Sequence, residues 1–370
     1  MIILLLIAGL LYAFWILFLL KSWRSIRVTP PSMEVPTQGI SIVIAFRNEA
    51  HRLGHLLRTL SKQEYPSSLL EIILVNDHSE DLFEPVIEDF SPFPFTVKVL
   101  SLGAGKFGKK QAIVYGVSQA LHPWILTTDA DCTAGPWWAR SMMQHAEASG
   151  ARFVFGPVAF ETEGFFLTDF QQIELASLIG SGAALWQSGF PTMCNGANLL
   201  YQKTLVEQDA YELNRHLASG DDEFLMHQVY QQDPEAVSFA RNKETLVMTE
   251  PCFSWSVLYQ QRKRWASKWG AYRLVHVQRI ALGVFLANLC YAVLPLLALG
   301  RPDLIPWIIG IYGCRWILDG IFIREIIRFY NKPFNLVRYV EVATIYPWYV
   351  VISALAGRAG KYTWKGRKVS

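Results

Sequence analysis

The sequence predicts an α/β domain built on a mostly parallel sheet, with transmembrane helices at both ends of the chain. Three observations carry that expectation. Between about residues 39 and 250, short apolar runs alternate with helix-like stretches, the rhythm of strands joined by crossover helices. Residues 1 to 20 hold no charged side chain, and the last third of the chain returns to the same apolar character. Acidic side chains gather where the apolar runs stop, and in open sheets of this kind ligands bind outside the carboxyl ends of the strands.

The chain has 370 residues, 52% of them hydrophobic and 14% aromatic, with a formal charge of +3. That hydrophobic excess implies a membrane as well as a core. About 20 apolar residues span a bilayer as a helix, so residues 1–22 are expected to form a transmembrane helix. Lys21, Arg24 and Arg27 follow the apolar run and Ala-x-Ala spacing is missing at its end, the reverse of a cleaved signal peptide. By the positive-inside rule these charges keep the following domain in the cytoplasm and put the N-terminus outside, as in an integral protein of a bacterial-type inner or plasma membrane. Residues 23–38, with Pro30, Pro31 and Pro36, form a linker. No nucleic-acid partner is expected.

The α/β domain is expected over residues 39–252. Its strands are Ile40 to Ala45, Leu70 to Val75, Val97 to Leu100, Trp124 to Thr128 and Phe153 to Phe155, with helices such as Ala50 to Ser61, Lys109 to Leu121 and Gly135 to Ala148 between them. Runs so uniformly apolar suit a parallel sheet covered on both faces.

Asn76-Asp77-His78-Ser79 follows the second strand. A carboxylate there can accept hydrogen bonds from a ribose or a base N–H, which suits Asp77 to a nucleoside; the alternative is that Asp77 or Ser79 caps the next helix. Asp129-Ala130-Asp131 ends the fourth strand, and in an extended segment residues two apart point the same way. Both carboxylates then face one cation, Mg²⁺ or Mn²⁺ by the hardness of the oxygens, which would neutralise a departing diphosphate. The alternative is a pair of turn or capping residues before Gly135-Pro136. Gly105-Lys106-Phe107-Gly108-Lys109-Lys110 opens a helix without matching a Walker loop, and reads equally as an anion site or a solvated basic turn.

Asp221 and Asp222 begin a helical stretch running to Val229. Ser219 or Asp221 suits its cap, and Asp222 is the candidate general base for an attacking hydroxyl. Residues 253–276 read as an amphipathic or interfacial helix on which Gln261, Arg264 and Trp265 share one face by i, i+3, i+4 spacing. Arginine forks onto phosphate oxygens and tryptophan offers a flat surface to a sugar ring. The alternative places Arg262, Lys263, Lys268 and Trp269 at lipid headgroups.

Residues 277–357 form a C-terminal membrane region, with apolar segments at about 277–299 and 304–323 and a weaker one at about 340–357 that Glu341 and Pro347 interrupt. Arg324, Arg328, Lys332 and Arg338 argue for a cytoplasmic connection after the second segment. A full third span would then put the basic tail, residues 358–370, outside, so a re-entrant or interfacial last segment is expected. Cys132, Cys194, Cys252, Cys290 and Cys314 lack zinc-ligand spacing and are expected to be reduced.

With Asp77, Asp129-x-Asp131, Asp222-x-x-Leu225 and Gln261-x-x-Arg264-Trp265 in this order, the chain resembles a membrane-bound family-2 glycosyltransferase with a GT-A catalytic domain, over roughly residues 38 to 270. The resemblance implies transfer of a sugar, with inversion, from a nucleotide-diphospho-sugar, UDP foremost. It implies a Mg²⁺ or Mn²⁺ ion held by Asp131 with Asp129, Asp77 on the nucleoside, Asp222 as base, and Gln261 with Arg264 at the diphosphate. It further implies that Ala45 and Glu49 belong to a nucleotide-binding first loop and that Lys109 is near the donor. Gly196 and Asn198 of Asn195-Gly196-Ala197-Asn198 would line the acceptor side with Trp265. Phe46 stands where a proline is frequent, and Asn76 where an aspartate is common.

The family divides into polysaccharide synthases and enzymes that add one sugar to a lipid. One helix before the domain and two or three after it are too few to enclose a polymer channel within one chain, and the Lys361 to Arg367 tail resembles those of enzymes acting on ceramide-like or carotenoid lipids. A lipid or lipid-linked acceptor is therefore expected, with a processive synthase subunit as the alternative. Two other classes stay open: a catalytically idle membrane scaffold, and a nucleotidyltransferase, which would release pyrophosphate.

Overall fold

The computed structural model of the chain describes residues 2–30, 32–161, 164–207, 220–268, 271–357, 362–364 and 367–369. Ser219, Trp269, Arg358, Lys361 and Lys365 lie outside them, and so does the side chain of Asp221. The chain enters through α1 (Ile2–Ser25), an apolar helix whose end is pinned to the domain. There Trp23 packs on Phe239 and Phe329, and Arg241 donates to the Trp23 carbonyl at 2.9 Å.

β1 (Ile40–Phe46) and β2 (Leu70–Asn76) form the centre of the domain because nearly every side chain along them is buried, and they pair in parallel with Ile40 opposite Leu70. Between them α2 (Ala50–Leu60) buries Leu53, Leu56, Leu57 and Leu60, a helical repeat that gives the crossover one apolar face. α3 (Glu84–Glu88) leads to β3 (Thr96–Ser101), parallel to β2, and α4 (Lys109–Ser118) crosses to β4 (Trp124–Thr127), parallel to β1 on its other side. The chain thus winds one way to β3 and then reverses, leaving a switch point between β1 and β4 where such sheets open a crevice.

β5 (Cys132–Ala134), α5 (Trp138–Ser149), β6 (Phe153–Phe155), β7 (Val158–Phe160) and α6 (Phe166–Gln187) follow, then β8 (Leu199–Gln202), α7 (Thr204–Glu207), α8 (Asp221–Gln232), β9 (Val237–Phe239) and β10 (Val247–Thr249). The main sheet has the order β3-β2-β1-β4-β8-β6-β9. Its pairs are parallel except those on either side of β8, which runs against both β4 and β6. β5, β10 and β7 make a small second sheet.

α9 (Trp255–Ala266) leads to α10 (Val275–Gly300), α11 (Ile305–Phe329) and α12 (Leu336–Gly357), and the short strands β11 (Tyr362–Trp364) and β12 (Arg367–Val369) pair antiparallel. Helices at positions 6–25, 275–300, 302–329 and 336–357 are long and apolar enough to cross a membrane. The expected interruption of the last segment is corrected: α12 runs through Pro347 without a break, and Glu341 is paired with Arg338 at 2.8 Å. Besides α10, α12 packs on α6 and α9. Arg338 pairs with Asp169 at 3.2 Å, Tyr349 donates to Glu174 at 3.0 Å, and Gly357 lies against Ala266 of α9.

α6 is the seam between the two layers. It packs on β7 and β9 on one side and on α1, α11 and α12 on the other, which is why it buries Gln171, Gln172 and Glu174 as well as Leu175 and Leu185. Gly180 lets α11 approach, since a Cβ there would fall 2.6 Å from Ile326. Where α1, α10 and α11 meet, polar groups are buried together. The Tyr12 hydroxyl donates to both oxygens of Asp319 at 2.7 and 2.9 Å, and Arg315 donates to Asp319 at 3.3 Å and to Asn288 at 3.0 Å. Mutual pairing is what makes such groups tolerable at membrane depth.

Candidate active site

A cavity of about 800 Å³ opens at the carboxyl edge of β1, β2 and β4 and is roofed by α8 and α9. Ala45, Glu49, Asp77, Lys109, Asp129, Asp131, Gly196, Asp222, Gln261, Arg264 and Trp265 all line it. Among the sequence-derived candidates Asn198 does not.

Asp77 is fixed as β2 ends. Its N–H continues the ladder onto the Phe46 carbonyl at 2.8 Å, the Arg47 guanidinium grips its own carbonyl at 3.0 Å, and its carboxylate accepts from the Gly108 N–H at 3.0 Å. Neither Asp77 nor Ser79 caps a helix, because α3 begins only at Glu84. The Gly108 N–H is thereby committed to Asp77, so the glycine turn serves to place Lys109 at the head of α4.

Asp129 and Asp131 lie on a turn closed by the Cys132 N–H onto the Asp129 carbonyl at 3.1 Å, and not on an extended strand, which ends at Thr127. Both still reach the cavity. Burial, then Asp129 and Glu49, push the Asp131 carboxyl up to about 6. The Lys109 ammonium sits on Asp129; burial works against that charge, but Asp129, and beyond it Asp222, hold it in the protonated form. Among the described residues no group of three or more His, Cys, Asp or Glu is gathered for a metal. Two neighbouring carboxylates, Asp131 and Asp129, fit a hard divalent ion, which would supply positive charge in the cavity.

The Asp222 carboxylate is held in the first turn of α8 by the Gly196 N–H at 2.7 Å and the Glu223 N–H at 2.9 Å. The residue at the cap position of that helix is Gly220, at a φ of 97° that favours glycine, and the capping expected of Ser219 or Asp221 lies outside the described residues. Behind Asp222, the buried Glu223 takes Lys268 at 3.1 Å and the Tyr272 hydroxyl. Lys268 is thus a buried partner in the cavity wall, not a headgroup contact. Asn198 also requires correction. It is fully buried, accepting from Trp138 Nε1 at 2.9 Å and donating to the Pro157 and Thr245 carbonyls at 2.8 and 2.7 Å, so it clamps the core and has no group left for an acceptor.

α9 starts at a Ser254 cap and brings Gln261, Arg264 and Trp265 to the cavity. Arg262 turns the other way. It is buried against Glu174 of α6, which overturns its alternative placement at lipid headgroups. Arg52, which the motifs did not single out, also lines the cavity and bridges Glu49 at 2.8 Å and Glu250 at 2.7 Å. Its position three residues after Glu49, on the first turn of α2, was the available signal.

Residues 41–208 match the family described as Glycosyl transferase family 2. These residues are a glycosyl transferase family 2 domain. Similar curated proteins include a poly-beta-1,6-N-acetyl-D-glucosamine synthase of Staphylococcus epidermidis, 26% identical over 251 residues, covering 66% of this chain and 57% of the relative. A 4,4'-diaponeurosporenoate glycosyltransferase of Staphylococcus aureus is 34% identical over 97 residues, 26% of this chain and 24% of that one. The chain therefore spans little more than half the length of the first of these. In fold, the structure of the mannosyltransferase PcManGT from Pyrobaculum calidifontis, in complex with GDP-Man and Mn²⁺, superposes at a TM-score of 0.57 with 13% identity, over 96% of this chain and 95% of that one. The family 2 domain thus has the GT-A-like α/β fold, with its motif residues gathered at the crevice of the sheet.

Proposed function

We propose that the protein is a membrane-bound inverting glycosyltransferase that moves a sugar from a nucleoside-diphosphate donor to the hydroxyl of a lipid or lipid-linked acceptor. The carrying observation is the convergence of Asp77, Asp129, Asp131, Asp222, Gln261, Arg264 and Trp265, from four separated stretches of sequence, on one cavity beside the apolar helices. The catalytic unit is residues 39–252, completed by the helix within 253–276, and it faces the cytoplasm with the N-terminus of α1 outside.

In this reading Asp77 holds the nucleoside, and Lys109, Gln261 and Arg264 face the diphosphate. A Mg²⁺ or Mn²⁺ ion at Asp131 and Asp129 would supply positive charge to the leaving group. Asp222 takes the proton from the acceptor hydroxyl as its oxygen bonds to the anomeric carbon, and the bond from that carbon to the phosphate oxygen breaks on the opposite face. The nucleoside diphosphate departs with the electron pair. The nucleotide-sugar class draws support from the GDP-Man and Mn²⁺ bound by the structural relative, while UDP is the candidate that the motif resemblance implies.

A lipid acceptor is supported by the mouth of the cavity, where Phe253 and Val257 are exposed apolar side chains at the start of α9. A second reading, a processive synthase subunit, is favoured by the name of the first relative. The test is release of nucleoside diphosphate by the detergent-purified protein from a panel of nucleotide sugars with Mg²⁺ or Mn²⁺, with and without membrane lipid extract. One discrete glycolipid is the expected product. A growing polymer would select the synthase, pyrophosphate would select a nucleotidyltransferase, and no release from any donor would sink the proposal.

A further inference from the structure

Arg262 sits between two residues of the transfer site yet faces away from it, and every nitrogen of its guanidinium is engaged. Nε donates to Glu174 Oε2 at 2.9 Å, Nη2 donates to the same oxygen, and Nη1 donates to Gln261 Oε1. The Cζ of the group also lies over the Trp265 ring, 4.2 Å from its centroid. The other Glu174 oxygen accepts from the Tyr349 hydroxyl of α12 at 3.0 Å. Glu174 and Arg262 are both about 5% exposed, so neither can exchange its partner for water.

This arrangement has a chemical consequence for Gln261. Its amide can present either the oxygen or the NH₂ to the cavity, and the two choices offer a ligand opposite hydrogen bonds. A guanidinium only donates, so Arg262 draws Gln261 Oε1 toward itself and leaves the NH₂ as the group offered to the oxygens of a bound donor. The same guanidinium backs the indole face of Trp265. Three elements distant in sequence thereby converge on the side chains that the motif supplies: α6 through Glu174, α9 through Arg262 and α12 through Tyr349.

We propose that Glu174, Arg262 and Tyr349 are positioning residues for the transfer site, fixing the amide orientation of Gln261 and the seat of Trp265, with the membrane-associated helix α12 acting on donor binding through one hydroxyl. The inference rests on the reading of this cavity as a sugar-transfer site. Lysine at position 262 would preserve the charge opposite Glu174 but lacks the fork needed to reach Gln261 as well. Glu174→Ala leaves Arg262 buried without a counter-charge and is expected to cost folding, so it decides nothing. Tyr349→Phe is the deciding variant, because it removes one hydrogen bond and keeps the ring on Phe170, 4.8 Å between centroids.

The experiment measures nucleoside diphosphate release by the full chain in detergent, for the wild type, Tyr349→Phe and Arg262→Lys, each with and without Gln261→Ala. Losses in kcat/KM of about 3- to 10-fold for Tyr349→Phe and about 10- to 100-fold for Arg262→Lys are expected, carried mainly by the donor KM. In the Gln261→Ala background the Tyr349→Phe loss is expected to shrink to within about 2-fold, because the relay has lost its far end. A purely structural role would give losses that multiply in the double variant; that result, or unchanged kinetics in both single variants, overturns the proposal. Wild-type turnover with multiplying losses defeats the relay alone, whereas no wild-type release from any donor defeats the transfer reading and the relay with it.

Discussion

Asp222 and Asp131 are both carboxylates in one cavity, and their surroundings assign them different work. Asp222 accepts two backbone N–H groups that aim it, one on each oxygen, and an asparagine of the same shape keeps one of those bonds through its oxygen while losing the proton-accepting charge. Asp222→Asn is therefore expected to bind donor as the wild type does while turnover falls by about 10²- to 10⁴-fold, read by donor titration beside product formation. Normal turnover would remove Asp222 from the role of base. Asp131 is held near pH 6, above its ordinary 3.8, by burial and by its acidic neighbours. Between those pH values the folded chain keeps a proton that the unfolded chain has lost, so stability declines as pH rises through the window, and the cost, on the order of 1–3 kcal/mol, remains at neutral pH. Asp131→Asn should accordingly raise the Tm of the metal-free protein by a few degrees at pH 7.5 and leave it nearly unchanged at pH 4, while abolishing the stabilisation by Mn²⁺ with nucleoside diphosphate. An equal shift at both pH values would point to packing instead. Asn198 marks the limit of reading residues from a motif: it lies two positions from Gly196, which faces the cavity, but the chain turns it into the core, and only its partners Trp138, Pro157 and Thr245 reveal that.

At the scale of elements, the central strands were legible because they are buried on both faces and carry their character in continuous apolar runs. The strands of the second sheet were not, since three residues at Cys132–Ala134, Val158–Phe160 and Val247–Thr249 display no period of their own. The faces of α9 were half legible. Gln261, Arg264 and Trp265 declare themselves by spacing, whereas the burial of Arg262 depends on Glu174, 88 residues earlier, to which no local pattern points. α12 departed from expectation in a different way. Glu341 and Pro347 suggested a break, but the first is paired and the second is accommodated within a continuous helix. A helix of that length reaches about 33 Å, and one that crossed the bilayer away from the domain would touch it at one end only. The contacts of α12 with α6 and α9, from Arg338 to Gly357, predict instead a helix laid along the domain at the membrane interface, with both of its ends on one side. In a variant whose native cysteines are replaced, Asn335→Cys and Lys368→Cys should both react with an impermeant maleimide from the same side of sealed vesicles. Labelling from opposite sides would make α12 a true span.

Across the whole molecule, the sequence divides into a membrane part and a catalytic part, but the structure joins them through α6, whose two flanks are both buried. Its role was invisible in the sequence because a helix covered all round has no amphipathic stripe to read. The joining extends among the apolar helices, where the hydroxyl of Tyr12 meets the carboxylate of Asp319, 307 positions further along the chain. That separation orders the molecule's biogenesis. α1 precedes α11 and would have to hold its place in a bilayer on apolar character alone, while α11 carries both Arg315 and Asp319 and would be costly to insert by itself. Tyr12 and Asn288, both earlier in the chain than α11, are the partners that Asp319 and Arg315 need, so the polar cost of α11 is offset only where α1, α10 and α11 pack together.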